Sequence, residues 1–243
     1  MRALIVADIH SNLEAFEGVI ADAETRGGFD QIWSAGDLVG YGPSPGQCIQ
    51  LMRRYDAKAV AGNHDLASVG EMSPEAFNDR ALAALIWTTT QLSDDEAEYL
   101  RGLPRRLELD GFTVVHGSPR HPEWEYVHTP ETAAANFAHF DTPICLIGHT
   151  HIAIMCRSNG GGAVFEKFQL GVPSVLTGDS FIVNPGAVGQ PRDGDPRAGY
   201  AVFDSDDQTI THHRVEYDVT TTQRKMSDRG LPSHLVERLA RGI

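Results

Sequence analysis

The chain alternates between short apolar runs and stretches whose apolar residues recur every three or four positions. Ala3–Ala7 is a run of the first kind and predicts a strand. Behind it, Leu13, Phe16, Ile20 and Ala23 share one helical face, with Ser11 and Glu14 spaced as a capping box in front and Gly27-Gly28 as a stop. Gln31–Ser34 predicts a second strand, and Ser44-Pro45 opens a helix to about Tyr55. Lys58–Ala61 predicts a third strand. Ser73-Pro74 predicts the start of a helix running through an alanine-rich stretch to near Trp87, and Ser93 with Glu96 caps another to about Leu100.

From there the pattern favours strands. Arg105–Leu109 and Phe112–Val115 flank Asp110-Gly111, a two-residue hairpin signal. One more helix is expected from Thr129-Pro130. Strands are expected at Ile144–Ile147, Ile152–Arg157, Ala163–Phe168, Phe181–Asn184, Tyr200–Asp204 and Thr209–Tyr217, with Gly160–Gly162 at a hairpin tip. From about Thr220 to Ile243 the sequence is polar, and helical near its end. No internal repeat or long linker interrupts the chain. The pattern predicts one α/β domain over residues 1–243: two sheets packed face to face as a β-sandwich, with helices outside.

Composition narrows the setting. Of 243 residues, 41% are hydrophobic and 22% charged, as in ordinary globular proteins. No apolar run approaches the ~20 residues that span a bilayer, and the one near the N-terminus is too short for a signal sequence, so a cytoplasmic protein is expected. Cys48, Cys145 and Cys156 lack metal-type spacing and are expected to be buried thiols. The formal net charge of −13 argues against nucleic acid or an anionic membrane as partner. An anionic substrate would need a local reversal of sign.

The ends of the apolar runs carry the chemistry. His10 in ADIH, His64 in VAGNHD, His116 in VVHGSP, and His149 and His151 in LIGHTH stand beside small or acidic residues, and Asp37 in WSAGDLVG has the same setting. Sites in α/β sheets form beyond the carboxyl ends of parallel strands. Any one such ending could be a hydrogen-bonded turn. Together they predict a metal site in which Asp8 and His10 grip a divalent ion. Carboxylate and imidazole donors suit Mn, Fe or Zn, and no cysteine joins them.

The segments DIH, GDLVG, GNHD, VVHG and GHTH follow the order and approximate spacing found in the calcineurin-like metallophosphoesterases, which the chain resembles over residues 8–151. GDLVGYGPSP and NPGAVGQPRDGDPRAGYAVFD resemble the small bacterial and archaeal members called predicted phosphodiesterases. The resemblance implies a four-layer α/β/β/α sandwich. It implies that Asp8, His10 and His151 hold one metal, that Asn63, His116 and His149 hold a second, and that Asp37 bridges them. His64 would stay off the metals and serve catalysis.

The implied protein is a dinuclear metal-dependent phosphoesterase for a small phosphodiester or phosphomonoester, with a nucleotide among the candidates. Two divalent ions (Mn, Fe, Zn or Ni) against Asp8 and Asp37 leave a local charge of roughly +2, the reversal required above. Ions ~3.5–4 Å apart would hold a bridging hydroxide for in-line attack, and His64 would donate a proton to the leaving oxygen or stabilise charge on phosphorus. Phosphoprotein phosphatases of this family carry an Asp-Arg pair shortly after the bridging aspartate, where this chain has Gly40 and Tyr41. That departure argues against the alternatives of a protein phosphatase or a dinucleoside polyphosphate hydrolase. A metal-bound interaction scaffold is the non-enzyme alternative. Tyr41 suits a pocket edge or a packed turn equally. Trp124 and Tyr126 are expected to pack a loop on the core rather than stack on a base, and Arg192 to be a solvated loop residue. Asn184-Pro185-Gly186 is expected to shape the pocket wall. His121, His128, His139, His212, His213 and His234 match no ligand position.

Overall fold

The computed structural model describes residues 1–243. The first half runs β1 (Arg2–Val6), α1 (Leu13–Thr25), β2 (Gln31–Ser34), α2 (Pro45–Arg54), β3 (Lys58–Ala59), α3 (Asn63–Ser68), α4 (Asp79–Gln91) and α5 (Asp94–Arg101). The second runs β4 (Arg106–Leu109), β5 (Phe112–Val115), α6 (Pro130–Asn136), β6 (Ile144–Leu146), β7 (Ala153–Asn159), β8 (Gly162–Glu166) and β9 (Ser174–Val175). It closes with β10 (Phe181–Pro185), β11 (Ala198–Asp204), β12 (Thr209–Val215), α7 (Val219–Asp228) and α8 (Ser233–Leu239).

The strands form two six-stranded mixed sheets, ordered β3-β2-β1-β11-β12-β9 and β4-β5-β6-β10-β7-β8. In the first, β1, β2 and β3 are parallel; in the second, β5, β6 and β10 are. Alternation along β1 builds two cores at once. Ala3 and Ile5 pack with Trp33, Phe112, Val114, Leu146 and Phe203 between the sheets. Leu4 and Val6 face the other way, onto Phe16, Val19, Ile49 and Met52 of α1 and α2. On the far face of the second sheet, Cys145, Ile147 and Ile182 meet Ala133 of α6. Helices, two sheets and a further helix therefore stack as the expected four layers. No helix is long and apolar enough to cross a membrane, and the three cysteines are buried and free.

Several local expectations need correction. Helix α1 is capped by Asn12, whose side chain accepts from Ala15 N at 3.2 Å, and not by Ser11. Glu14 instead accepts from Thr222 and Lys225 of α7. Ser73-Pro74 starts only a 3₁₀ turn, Pro74–Ala76; the long helix begins at Asp79 behind an Asn78 cap. The third strand is two residues long; by Ala61 the backbone N–H has left the sheet for Pro104 O, and α3 begins at Asn63. The Ser93–Glu96 box and the Asp110-Gly111 hairpin form as expected, the latter with both residues at positive φ.

Candidate metal centre

The parallel strands of both sheets end on one rim. Loops after β1 and β2 deliver Asp8 and His10, and Asp37; the first turn of α3, after β3, delivers Asn63 and His64; and loops after β5 and β6 deliver His116, and His149 and His151. Asp8, His10, Asp37, His149 and His151 all have positive φ, between 48° and 65°. Such conformations cost about 1–3 kcal/mol each for residues other than glycine and persist only where the surroundings impose them. Cross-loop backbone bonds do so here: Asp8 N to Gly36 O and His10 N to Asp37 O, both 3.0 Å, and Gly148 N to His116 O, 2.8 Å.

The side chains converge in two groups that share Asp37. Candidate ligand atoms of Asp8, His10, Asp37 and His151 lie within 4.8 Å of one another, and so do those of Asp37, His116 and His149. Asp37 Oδ2 is 3.5 Å from His10 Nε2 and 3.2 Å from His116 Nε2, so it stands between the groups. Asn63 Oδ1 lies 3.0 Å from His116 Nε2. The structure thus brings Asp8, His10, Asp37, Asn63, His116, His149 and His151 together. His64 sits beside them, outside both groups.

Main-chain carbonyls fix the imidazoles. His10 Nδ1 donates to Val39 O (3.0 Å) and His151 Nδ1 to Gln190 O (2.7 Å). That leaves their Nε2 atoms as facing lone pairs 3.2 Å apart. Burial pushes the pKa of both rings well below the usual range, so no proton fills the gap near neutral pH. His116 and His149 also approach closely, with Nε2 and Nδ1 3.1 Å apart and their outer nitrogens donating to Ala35 O and Trp124 O, but here Asp37 Oδ2, 3.2 Å from His116 Nε2, favours a proton on His116 in the absence of a metal. Asp8 Oδ2 is buried with no partner. Repelling lone pairs and an unsatisfied buried carboxylate oxygen are what a bound cation would satisfy, so the donor set fits divalent ions.

The charges follow from the same crowding. Burial raises Asp8 to about 7, against the opposing pull of His116. At Asp37 burial also favours the neutral acid, but His116, His64 and His10 outweigh it and hold the carboxyl well below its ordinary value. Burial disfavours the charged ring of His116, but the charge and hydrogen bond of Asp37, with Asp8 and Ala35 O, together lift it to about 9.

The family model described as the calcineurin-like phosphoesterase superfamily domain matches residues 1–208. The chain belongs to that superfamily. Among solved structures, this phosphoesterase-family chain is similar to a metallophosphoesterase from Sphaerobacter thermophilus: 47% identity, TM-score 0.91, covering 100% of this chain and 99% of the other. It is 36% identical to an uncharacterized protein of Methanocaldococcus jannaschii, over 98% of this chain and 97% of that one. It is 35% identical to a symmetrical bis(5'-nucleosyl)-tetraphosphatase of Psychromonas ingrahamii over 131 residues, which is 51% of this chain and 46% of that protein. This chain spans about half the length of such tetraphosphatases.

Several further residues complete the pocket of this calcineurin-like chain, whose volume is about 70 Å³. Tyr41, Phe77, Trp124, Tyr126 and Arg192 line it together with His64, His149 and His151. Tyr41 both packs and edges the pocket. Trp124 packs edge-on against Phe77 while lining the cavity, and Tyr126 stacks on His149 at 4.0 Å. Arg192 is not a solvated loop residue. Its guanidinium lies 5.8 Å from the Tyr41 ring centroid, Nη2 donates to Gln190 Oε1, and Nε is buried without a partner. The pocket thus does hold an arginine, supplied from the loop before β11. Asn184 holds the wall: its Nδ2 donates to Gly148 O at 2.6 Å and Thr150 Oγ1 at 3.0 Å. What orients His64 is packing, not a carboxylate. Asp65 accepts from Val39 N and Gly62 N instead. The His64 ring lies against Tyr41, Phe77 and His10 with centroids 4.4–4.9 Å away, and burial lowers its pKa to about 4.

Proposed function

We propose that this chain is a dinuclear metal-dependent phosphoesterase acting on a small phosphoester of the nucleotide class. The observation that carries the reading is the pair of His10 and His151 nitrogens 3.2 Å apart, both committed on their outer sides to carbonyls. Asp8, His10 and His151 would hold one ion, Asn63, His116 and His149 the other, and Asp37 both. Such ions supply Lewis-acid polarisation of the phosphoryl group and a water of lowered pKa.

The chain's own groups do the rest. Arg192 meets a non-bridging phosphate oxygen as a cation with no carboxylate partner. His64 is neutral near pH 7, with its main-chain N–H fixed on Asp37 Oδ1 at 2.9 Å, and offers a ring N–H as a hydrogen bond that stabilises charge growing on the phosphoryl and leaving oxygens. Phe77, Trp124 and Tyr41 exclude water from one side, and the half-exposed Tyr126 offers a ring face to a base. A polyphosphate ester is a second reading. The resemblance to tetraphosphatases favours it, and Arg192 removes the objection raised by the absent Asp-Arg pair.

The test strips the protein with chelator and reloads it separately with Mn, Zn, Fe or Ni. Metal content is measured, and each form is assayed on matched nitrophenyl monoester and diester substrates and then on nucleotides. Two ions per chain and turnover of the diester above the monoester are expected. His64→Ala should keep both ions and lose about 10²–10⁴-fold in turnover. A protein that binds no ions, or is inert with two, would overturn the reading.

A further inference from the structure

Beside the metal pocket lies a larger cavity of about 270 Å³, walled by Tyr41, Asn78, Asp79, Arg80, His234, Leu235 and Arg238. Tyr41 and Asn78 line both cavities, so the two adjoin. Together they approach the volume of ordinary small-molecule pockets, ~300–1,000 Å³, which the metal pocket alone does not.

The charge around this opening runs against the molecule. In a chain of net −13, most arginines are paired with an Asp or Glu side chain; Arg80, Arg192, Arg238 and Arg241 are not, and neither are Arg54, Arg224 and Arg229 elsewhere. Arg80 and Arg238 share this wall and Arg192 lines the adjoining pocket, while Arg192, Arg80 and Arg241 each repel the charge of Arg238, which burial and this repulsion lower to about 10. Arg238 Nε donates to the Ile243 carbonyl, and no partner occupies its other nitrogens. His234 Nδ1 is buried and unpartnered. Asp79 is the one acidic wall residue, and its side chain is exposed. Unpaired arginines held this close are mutually destabilising unless an anion joins them.

We propose that the cavity bounded by Arg80, His234 and Arg238 is a second anion subsite, which takes a distal phosphate of a substrate carrying at least two phosphate groups. This rests on the reading of the adjoining centre as the place where the scissile phosphate binds. Arg192, over Tyr41, stands at the junction. The chemical class is then a nucleoside or dinucleoside polyphosphate rather than an ester of one phosphate.

The test is equilibrium binding of inorganic tripolyphosphate to chelator-stripped protein, followed by calorimetry, so that no metal contributes. Arg80→Ala and Arg238→Ala should each weaken binding by about 10-fold or more, and the double variant should abolish it. Arg80 is exposed and its side chain makes no hydrogen bond, so Arg80→Ala keeps the test valid if Arg238→Ala misfolds. No binding by the unsubstituted protein, or an affinity for Arg80→Ala within twofold of it, would overturn the subsite. Arginine-dependent binding in a protein that hydrolyses no phosphoester would instead retain the subsite and refute the enzyme reading.

Discussion

His64 illustrates how single residues set the site. Its ring has no hydrogen-bonded carboxylate and is placed by the shapes around it, of which Gly40 is the tightest. Gly40 has φ +90°, and a Cβ there would stand 2.5 Å from His64 Nδ1 and 2.9 Å from Cγ. Gly40→Ala must therefore move the imidazole as well as strain the backbone. Gly111, at φ +87° with open space around it, carries the backbone strain alone. Gly111→Ala should lose about 1 kcal/mol of stability in urea titrations and Gly40→Ala more, but only Gly40→Ala should lose turnover, by about 10-fold or more, while keeping both ions. Equal activity of the two variants would show that His64 is not positioned by this contact. The ligand histidines stand out as strand-end imidazoles, yet what fixes them are the carbonyls of Ala35, Val39, Trp124 and Gln190, and a main-chain carbonyl has no signature in residue identity.

At the scale of elements, the loop between β5 and α6 carries Trp124 and Tyr126 and is pinned by one carboxylate. Glu125 accepts from Ser118 Oγ, Arg120 and Asn136 Nδ2, which joins the loop to α6. Arg120 above all holds Glu125 down to about 2, from an ordinary 4.5. A depressed carboxyl stabilises the fold fully above its unfolded value, and the contribution fades as pH falls from about 4.5 through 2. Glu125→Gln should therefore cost on the order of 1–2 kcal/mol at pH 7, discounted for partial exposure of the pair. The gap to the unsubstituted protein should narrow when urea unfolding is repeated at pH 3. A gap independent of pH would mean that the network acts through packing alone. Elements were legible where their signals are local, as in the Ser93–Glu96 box and the Asp110-Gly111 turn. Ser11 and Asn12 are both competent caps, and the choice between them follows from Glu14 being engaged by α7, more than 200 residues away. Likewise, strand ends rich in polar residues were readable, but their division between two sheets is decided by pairings such as β1 with β11 and β6 with β10.

Across the whole molecule, the net charge of −13 could be counted from the sequence, but not where the exceptions gather. Arg80, Arg192 and Arg238 are scattered along the chain and reach two adjoining cavities because α4, α8 and the loop before β11 close around Tyr41. The centre itself joins both halves of the sandwich. Asp8, His10, Asp37 and Asn63 come from the first sheet, and His116, His149 and His151 from the second. Ions held there would bind the native arrangement and not the unfolded chain. At 100 times the dissociation constant, that linkage is worth about 2.7 kcal/mol per site. For a chain of this size, 1 kcal/mol moves the melting temperature by about 2–4 °C. Saturating manganese should therefore raise the melting temperature of chelator-stripped protein by at least about 5 °C. Asp37→Asn should lose most of that shift, because Asp37 serves both groups, whereas Arg80→Ala should retain it. The stripped protein also keeps two nearly inaccessible carboxyls, Asp8 and Asp37, whose charges oppose each other. Metal binding relieves that repulsion, so the shift should grow as pH rises through about 7 and Asp8 ionises. A melting temperature indifferent to divalent ions at pH 6 and pH 8 alike would mean that the two sheets are joined by packing alone and that the rim is no metal centre.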